Sequence, residues 1–507
     1  MASERTSRVA KNTMMNYLRM GAGMIIMLYT SRVVLNTLGV DDYGVNAAVG
    51  GVVGMMAILI NFMQTGTQRF LNFAMGKGDK QGLNDIFCVS ITIHVCIAVL
   101  IILFSETIGL WFLLNKMVIP AGRETAAFWV FQFSILSTVT SVMSIPYNAE
   151  VIAHERMSIY AYFTILGLAL KLLIVYLLVV SHFDKLITYS FLLFCTSLFS
   201  RLLFTWYCRR NFEECHYHFR FPPKLIRDML SFSAWDLFGV VAWTCSTQGT
   251  TILLNLFFGP AVNAASGIAS RVESSVRSFS SNFLSALSPQ ITKSYAAQDY
   301  NYLYKIMYGG AKLSFILLFA ITLPLYIKID YVLVFWLKLV PDHTATIVRI
   351  ILIEMILDSM MTPLNTAALA TGRIRYYGFA TSVMTIIQLP LCYIILKMGG
   401  SPESVFVTML TVTIIREIVQ YYKLRNLVGF RYLDYFRKVQ LPCILVVAAS
   451  VPLPLIISQA LPENFWTLLL IIIVATPLSI ILSFFIILNI DERKILVDKI
   501  PFINRMK

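Results

Sequence analysis

Charged residues are scarce in this chain. Asp, Glu, Lys and Arg make up 13% of its 507 residues, hydrophobic types make up 58%, and the mean hydropathy is +0.73. A soluble globular chain carries about 25% charged residues. An ordinary water-soluble domain is therefore excluded, and no segment is both polar and long enough to form one. Cysteine provides no framework: the eight cysteines are scattered, most of them in apolar segments, without the spacing of a disulfide scaffold. Cys208, Cys215, His216 and His218 gather in one polar stretch, but their spacing fits no standard zinc pattern. Neither a metal nor a cofactor is expected. Catalytic signatures are absent as well. There is no phosphate-cradling glycine loop with an adjacent Lys, no His–Glu metal helix, and no paired catalytic carboxylates in a polar loop. Of the six histidines only His94 sits well inside an apolar stretch, as a packing residue or a proton relay. Nothing in the chain reads as an enzyme site.

Long apolar runs are abundant. A membrane-spanning helix needs about 20 mostly apolar residues, and on that criterion there are about fourteen candidates. They run near 12–38, 41–66, 84–113, 124–149, 157–180, 185–208, 227–258, 261–290, 302–327, 343–370, 375–397, 402–424, 441–460 and 465–489. All must be helical, because an open sheet edge cannot sit in lipid. The net charge of +14 suggests nucleic acid at first sight, but membrane proteins collect Lys and Arg on cytoplasmic loops, and no nucleic-acid partner is expected. With the N-terminus in the cytoplasm, about 26 Lys or Arg fall on that side and about 6 on the other, the bias of the positive-inside rule. An even number of spans returns the C-terminus to the cytoplasm. The first span is too long for a signal peptide and no small-residue cleavage site follows it.

A repeat emerges at one offset. Val45-Asn46-Ala47-Ala48 opens the second span and Val262-Asn263-Ala264-Ala265 opens the eighth, about 217 residues later. The same offset carries Pro146 to Pro363, Asn148 to Asn365, Arg156 to Arg373 and Tyr160 to Tyr377. The expected organisation is an N-terminal lobe over 1–208, a cytoplasmic loop over 209–225, a C-terminal lobe over 226–426, and two further spans with a cytoplasmic tail over 427–507. Two six-helix units of the same topology are parallel repeats around a central cavity, the plan of one class of alternating-access transporters with the substrate site between the halves.

Within the spans, individual charges carry the functional signal. A cation at the centre of a bilayer span costs roughly 2.5–3.5 kcal/mol on insertion scales, yet Arg32, Arg271 and Arg277 lie in stretches of this kind. Arg19 sits nearer the cytoplasm and either lines the cavity or snorkels to the headgroups. Arg271, Ser274, Ser275, Ser278 and Asn282 follow helical spacing and form one stripe, an arginine heading a row of small polar groups that suits a hydrated cavity. Glu273 and Arg277 stand four apart with the acid first, the favoured order for a pair within a helix. Arg271 has no acid three or four residues away. Lys171, Asp236, Lys312, Arg349, Glu354, Asp358, Arg416 and Glu417 are the other intramembrane charges. Glu354 and Asp358 share a face of the tenth span and serve either proton or cation coupling or pairing with Arg349 or Lys312. Glu273 and Asp236 complete the set of candidate coupling or ion-pair acids.

Ala10-Lys11-Asn12-Thr13, Tyr29-Thr30-Ser31-Arg32, Leu38-Gly39, Asp42-Tyr43-Gly44 and Gly50-Gly51 together resemble the start of bacterial polysaccharide-biosynthesis membrane proteins, the O-antigen and oligosaccharide flippases. Asn255-Leu256-Phe257-Phe258-Gly259-Pro260 followed by Val262-Asn263-Ala264-Ala265 resembles the same family at its eighth span. The resemblance extends over the whole chain, and the plan is similar to that of the multidrug/oligosaccharidyl-lipid/polysaccharide (MOP) exporter superfamily. It implies a flippase of the bacterial inner membrane, in contact with membrane lipids, that moves a polyprenyl-pyrophosphate-linked glycan between leaflets. It also implies function as a monomer, with association with polysaccharide-assembly proteins open. By motif, the family's cavity arginines map onto Arg32 and Arg271, with Arg277, Arg19 and Arg349 as further positions; Ser274, Ser278 and Asn282 are then expected to meet sugar hydroxyls. Arginine suits a pyrophosphate because its planar donors engage phosphate oxygens in pairs. The superfamily's drug antiporters typically place a coupling acid in the first span, and this first span has neither Asp nor Glu, which counts against cation-coupled drug export. A membrane polysaccharide polymerase or ligase would require a large far-side loop, and the sequence has none.

Overall fold

The computed structural model describes residues 21–493 apart from 22, 56–66, 68, 69, 72, 73, 76–79, 155, 220, 221, 372, 373 and 491. Arg19 and Arg373 lie outside the described residues. Asp236 and Asn282 sit on described helices, but their side chains lie outside the description.

Helix is the only extended regular structure among the described residues, as a chain passing through lipid requires: each backbone N–H and C=O must find its partner within its own segment. The helices are α1 (Gly23–Leu38), α2 (Val40–Met55), α3 (Gln81–Asn115), α4 (Glu124–Ala153), α5 (Ser158–Val180), α6 (Lys185–Asn211), α7 (Pro223–Phe258), α8 (Pro260–Ala296), α9 (Tyr300–Ile327), α10 (Ile329–Leu337), α11 (Thr344–Ala370), α12 (Tyr377–Lys397), α13 (Pro402–Val428), α14 (Tyr432–Ala460) and α15 (Phe465–Ile486). Nine of them are long and apolar enough to cross a membrane, or ten if α1 and α2 count as one bent span. The described residues thus establish a multi-pass all-helical membrane protein without reaching the expected number of about fourteen on that criterion. Three other long helices, α7, α8 and α11, carry many of the polar and charged residues singled out from the sequence. α1 and α2 meet at 119°, and the corner is Gly39, whose φ of +84° is open to glycine at little cost.

The chain divides into two compact units. The first comprises residues up to Ile268 together with Leu389–Pro402; the second comprises Ala269–Gln388 and the chain from Glu403 onward. This differs from the expected break at 209–225, and packing gives the reason. α7 lies against α2, and its Asn255 side chain brackets the backbone of Val118, accepting from the amide at 3.0 Å and donating to the carbonyl at 3.3 Å.

In the first unit α2 packs on α4, and α6 packs on both α4 and α5, with apolar cores around Val49, Phe131 and Ile135 and around Ile86, Val89 and Ile93. Gly44 touches the start of α8: a Cβ there would lie 1.9 Å from the Pro260 carbonyl oxygen. At one end of this unit three connections meet. Arg123 donates to Asp42 at 2.5 and 2.8 Å and to Asp184 at 2.5 Å. Asp184 also caps α6 by accepting from the amides of Leu186 and Ile187. Burial alone would raise the Asp184 carboxyl, but the Arg123 guanidinium and the two amides hold it below the ordinary carboxylate range.

In the second unit α9 lies between α11 and α15, and Phe315, Leu364, Tyr435 and Ile471 belong to its core. Lys312 is almost fully buried and donates to Glu492 at 2.8 Å. At the opposite end of these helices Arg349 pairs with Asp330, Lys328 donates to the Ser458 carbonyl, and His343 meets Glu403. Within each unit the alternate connections gather at one end, as successive membrane crossings require.

Candidate substrate cavity and charged network

The first unit has an open cavity of about 730 Å³ between α2, α4, α5 and α6, within the size range of ligand sites in proteins. Many of its lining residues are polar, set among apolar ones such as Phe163, Leu168 and Phe204. α4 contributes Ser134, Ser137, Thr138, Ser141, Ser144 and Asn148; α5 contributes Tyr160, Thr164 and Lys171; α6 contributes Thr196, Ser197 and Ser200. Most of these hydroxyls hydrogen-bond backward along their own helices. Thr138 donates to Ser134 O at 2.8 Å, Ser141 to Ser137 O at 2.9 Å, Thr164 to Tyr160 O at 2.7 Å and Thr196 to Leu192 O at 3.0 Å. A hydroxyl whose proton is committed in this way keeps its oxygen lone pairs. The wall therefore presents acceptors, together with the ammonium of Lys171 as donor. The Asn148 carboxamide oxygen is buried and has no hydrogen-bond partner among the described residues. Such a surface suits a polyhydroxylated molecule.

The signal for this cavity was present in the sequence and was missed. Ser134, Ser137, Thr138 and Ser141 have the same helical spacing as the stripe noticed in the eighth span.

The second unit holds a charged network on α8, α11 and α13. Arg277 donates to Asp358 at 2.8 Å and to Glu273 at 3.0 Å. Arg416 donates to the other oxygen of Asp358 at 3.1 Å. Glu354 accepts from Thr413 at 2.8 Å. Glu417 is buried one residue from Arg416, and one of its oxygens has no hydrogen-bond partner among the described residues. Four acids thus surround two arginines, and the network carries an excess of two carboxylates.

The residues expected from the sequence fall into three groups. Glu273 and Arg277 form the pair predicted by their spacing. Asp358 joins them, but neither Arg349 nor Lys312 is its partner: Arg349 reaches Asp330, and Lys312 reaches Glu492. Arg349 lies two and a half turns before Asp358 on α11, and that rise puts it beside the connection holding Asp330. Arg32 and Arg271 make no ion pair among the described residues; Arg32 is half-buried and Arg271 is exposed. Ser274 and Ser278 return their protons to the carbonyls of Arg271 and Ser275. His94 is fully buried, with Nδ1 2.7 Å from the Ser90 carbonyl, as a packing residue would be. Cys208 and Cys215 are buried side by side and hydrogen-bonded, whereas His216 and His218 are exposed.

A family model described as "Polysaccharide biosynthesis protein" matches residues 7–295. Among solved structures, the chain is similar to the lipid II flippase MurJ in an inward closed conformation, at 12% identity, covering 94% of this chain and 98% of that one with a TM-score of 0.71. It is similar to an inward-facing multidrug resistance MATE family transporter of the MOP superfamily, at 13% identity, covering 82% and 98% with a TM-score of 0.65. A MOP superfamily transporter from Pyrococcus furiosus matches at 12% identity, covering 81% and 95% with a TM-score of 0.52. At these identities the likeness is one of fold, and the fold is that of the MOP transporters. A search among curated protein sequences returned no match.

Proposed function

From a chain that belongs to the polysaccharide biosynthesis protein family and folds as a MOP transporter, we propose a flippase for an undecaprenyl-pyrophosphate-linked oligosaccharide. It carries its cargo from the cytoplasmic to the periplasmic leaflet of a bacterial inner membrane by alternating access, in the synthesis of O-antigen, capsule or exopolysaccharide. The two repeats, 1–208 and 226–426, act as its lobes, and both termini are cytoplasmic.

The observation that carries this reading is the hydroxyl-lined cavity of the first unit. Lipid tails have no use for such a wall, and a drug-sized organic cation would need a carboxylate, whereas the described lining carries Lys171 and no acid. Sugar hydroxyls find acceptors there at every helical turn of α4. Arg32 and Arg271, which meet no acid among the described residues, are assigned to the pyrophosphate, with Arg19 as a further cation along its path; Arg349 is paired with Asp330 beside a connection and is not assigned to it. Arg277 is engaged by Glu273 and Asp358 and is assigned to coupling together with Glu354. The sugar contacts extend to Ser274, Ser278 and Asn282.

The test is protected transfer of a lipid-linked oligosaccharide in proteoliposomes holding the purified chain, with Arg271→Ala and Arg271→Lys alongside. Loss of transfer in Arg271→Ala with partial recovery in Arg271→Lys is expected. Normal transfer by Arg271→Ala would overturn the cationic role, and export of cationic dyes by the native chain would move the assignment to a drug or cation antiporter.

A further inference from the structure

At the end of α4, away from the cavity lining, a carboxylate is buried without a donor. Glu150 is 0% exposed, and neither of its carboxylate oxygens has a hydrogen-bond partner among the described residues. Burying an ionised carboxylate in this way is costly unless a cation or a proton balances it. One turn further, at the residue that caps the end of α4, His154 turns its Nε2 toward the same spot, 3.8 Å from Glu150 Oε2. From the other side comes Glu214, in the short 3₁₀ turn Glu213–Cys215 that follows α6. Its Oε1 lies 2.5 Å from His154 Nε2. The three ligand atoms all lie within 4.8 Å of one another.

The surroundings hold these groups in place. The His154 ring stacks on Phe212, with centroids 3.9 Å apart and planes at 6°. The backbone carbonyls of Glu214 and His216 both accept from the Asn84 amide, at 2.7 and 3.0 Å. An imidazole oriented by its neighbours and flanked by two carboxylates is poorly balanced by itself: a protonated ring supplies one positive charge against two negative ones, and Glu150 still lacks a hydrogen-bond donor. A divalent cation removes both defects, since it neutralises two carboxylates and takes the imidazole lone pair. A Glu and a His spaced i, i+4 share one face of a helix. One nitrogen and two carboxylate donors suit a zinc-type ion, whereas calcium and magnesium favour sites made of oxygen alone.

We propose that Glu150, His154 and Glu214 bind a single divalent transition-metal ion of the zinc type, fastening the end of α4 to the polar loop between α6 and α7. This site is separate from the substrate cavity and does not depend on the identity of the cargo. The sequence conceals it because Glu214 stands 60 residues from His154. The visible cluster of Cys208, Cys215, His216 and His218 draws the eye to a different set of ligands.

The experiment uses the full chain in detergent, stripped by chelator and titrated with Zn²⁺ alone against a chromophoric competitor. One Zn²⁺ per chain is expected. Glu150→Gln and His154→Ala should each weaken binding by more than the roughly 10–100-fold that loss of an outer-shell partner costs, while His216→Ala with His218→Ala should bind as the native chain does. X-ray absorption at the zinc edge of the native chain, which requires no variant to fold, should give a nitrogen/oxygen shell with a single imidazole. The proposal is overturned if the native chain takes up no stoichiometric zinc, if both single variants bind as tightly as the native chain, or if the edge spectrum reports a sulfur-dominated shell or several imidazoles.

Discussion

Arg277 on α8 donates to Asp358 on α11 at 2.8 Å, and the second oxygen of that carboxylate receives Arg416 from α13 at 3.1 Å. One acid therefore ties three helices of the second unit. Replacing it with a neutral amide leaves two guanidinium groups facing each other across a weaker acceptor. Asp358→Asn should destabilise the protein by about 1–3 kcal/mol, the range for hydrogen bonds to charged groups left unmet. Thermal melting in detergent measures this. The double variant Arg277→Ala with Asp358→Ala should lose less than the sum of the two single variants, because residues sharing one ion pair are coupled; strict additivity would mean that the pair contributes nothing.

Gly44 against Pro260 is a contact of backbone on backbone. A methyl group at Gly44 would lie 1.9 Å from the Pro260 oxygen, so either α2 or the start of α8 must move. Gly44→Ala should lower stability by roughly 1–3 kcal/mol, the usual cost of overpacking. At Gly50 on the same helix a Cβ would meet nothing within 4 Å, and Gly50→Ala serves as the matched control. Equal melting temperatures for the two variants would contradict the contact.

The cavity of the first unit predicts a graded series. Removing one hydroxyl that accepts from a sugar costs about 1 kcal/mol, or roughly fivefold in transfer rate, while removing a charged donor costs about 1.5–3 kcal/mol. Ser137→Ala and Ser141→Ala should therefore each slow protected transfer severalfold, and Lys171→Met should slow it more than either. The melting temperature of Ser141→Ala should stay near that of the native chain, because this hydroxyl donates along its own helix. A Lys171→Met variant with full transfer activity would remove the cavity from the transport path.

The sequence made some of this architecture legible and left other parts hidden, for physical reasons. The apolar run expected at 465–489 is α15 over Phe465–Ile486. The Glu273–Arg277 pair was legible because both partners lie on one helix at a fixed spacing. The Arg277–Asp358 pair was not, since the partners stand 81 residues apart and only tertiary packing brings the helices together. The repeat located equivalent positions but not equivalent environments. Asn365 is hydrogen-bonded to Tyr377, whereas the Asn148 carboxamide oxygen has no such partner among the described residues and lines a cavity with Tyr160. Asn365 therefore has an internal partner in Tyr377, where Asn148 lines a cavity.

Asp184 offers a pH test of the connections at one end of the first unit. It lies outside the spanning helices, where the Arg123 guanidinium and two amides outweigh burial and hold its carboxyl below the ordinary value of 3.8. A depressed folded-state value means that the carboxylate form stabilises the fold. That contribution is fully present above pH 3.8 and is lost as the pH falls through the lower folded-state value. The melting temperature should therefore decline as the pH drops below about 3.8, and Asp184→Asn should remove part of that decline while lowering the melting temperature at neutral pH. Arg123→Gln should lower the melting temperature at neutral pH further, because it releases Asp42 as well as Asp184. If Asp184→Asn leaves the acid limb unchanged, the three-way junction of Asp42, Arg123 and Asp184 does not contribute to stability.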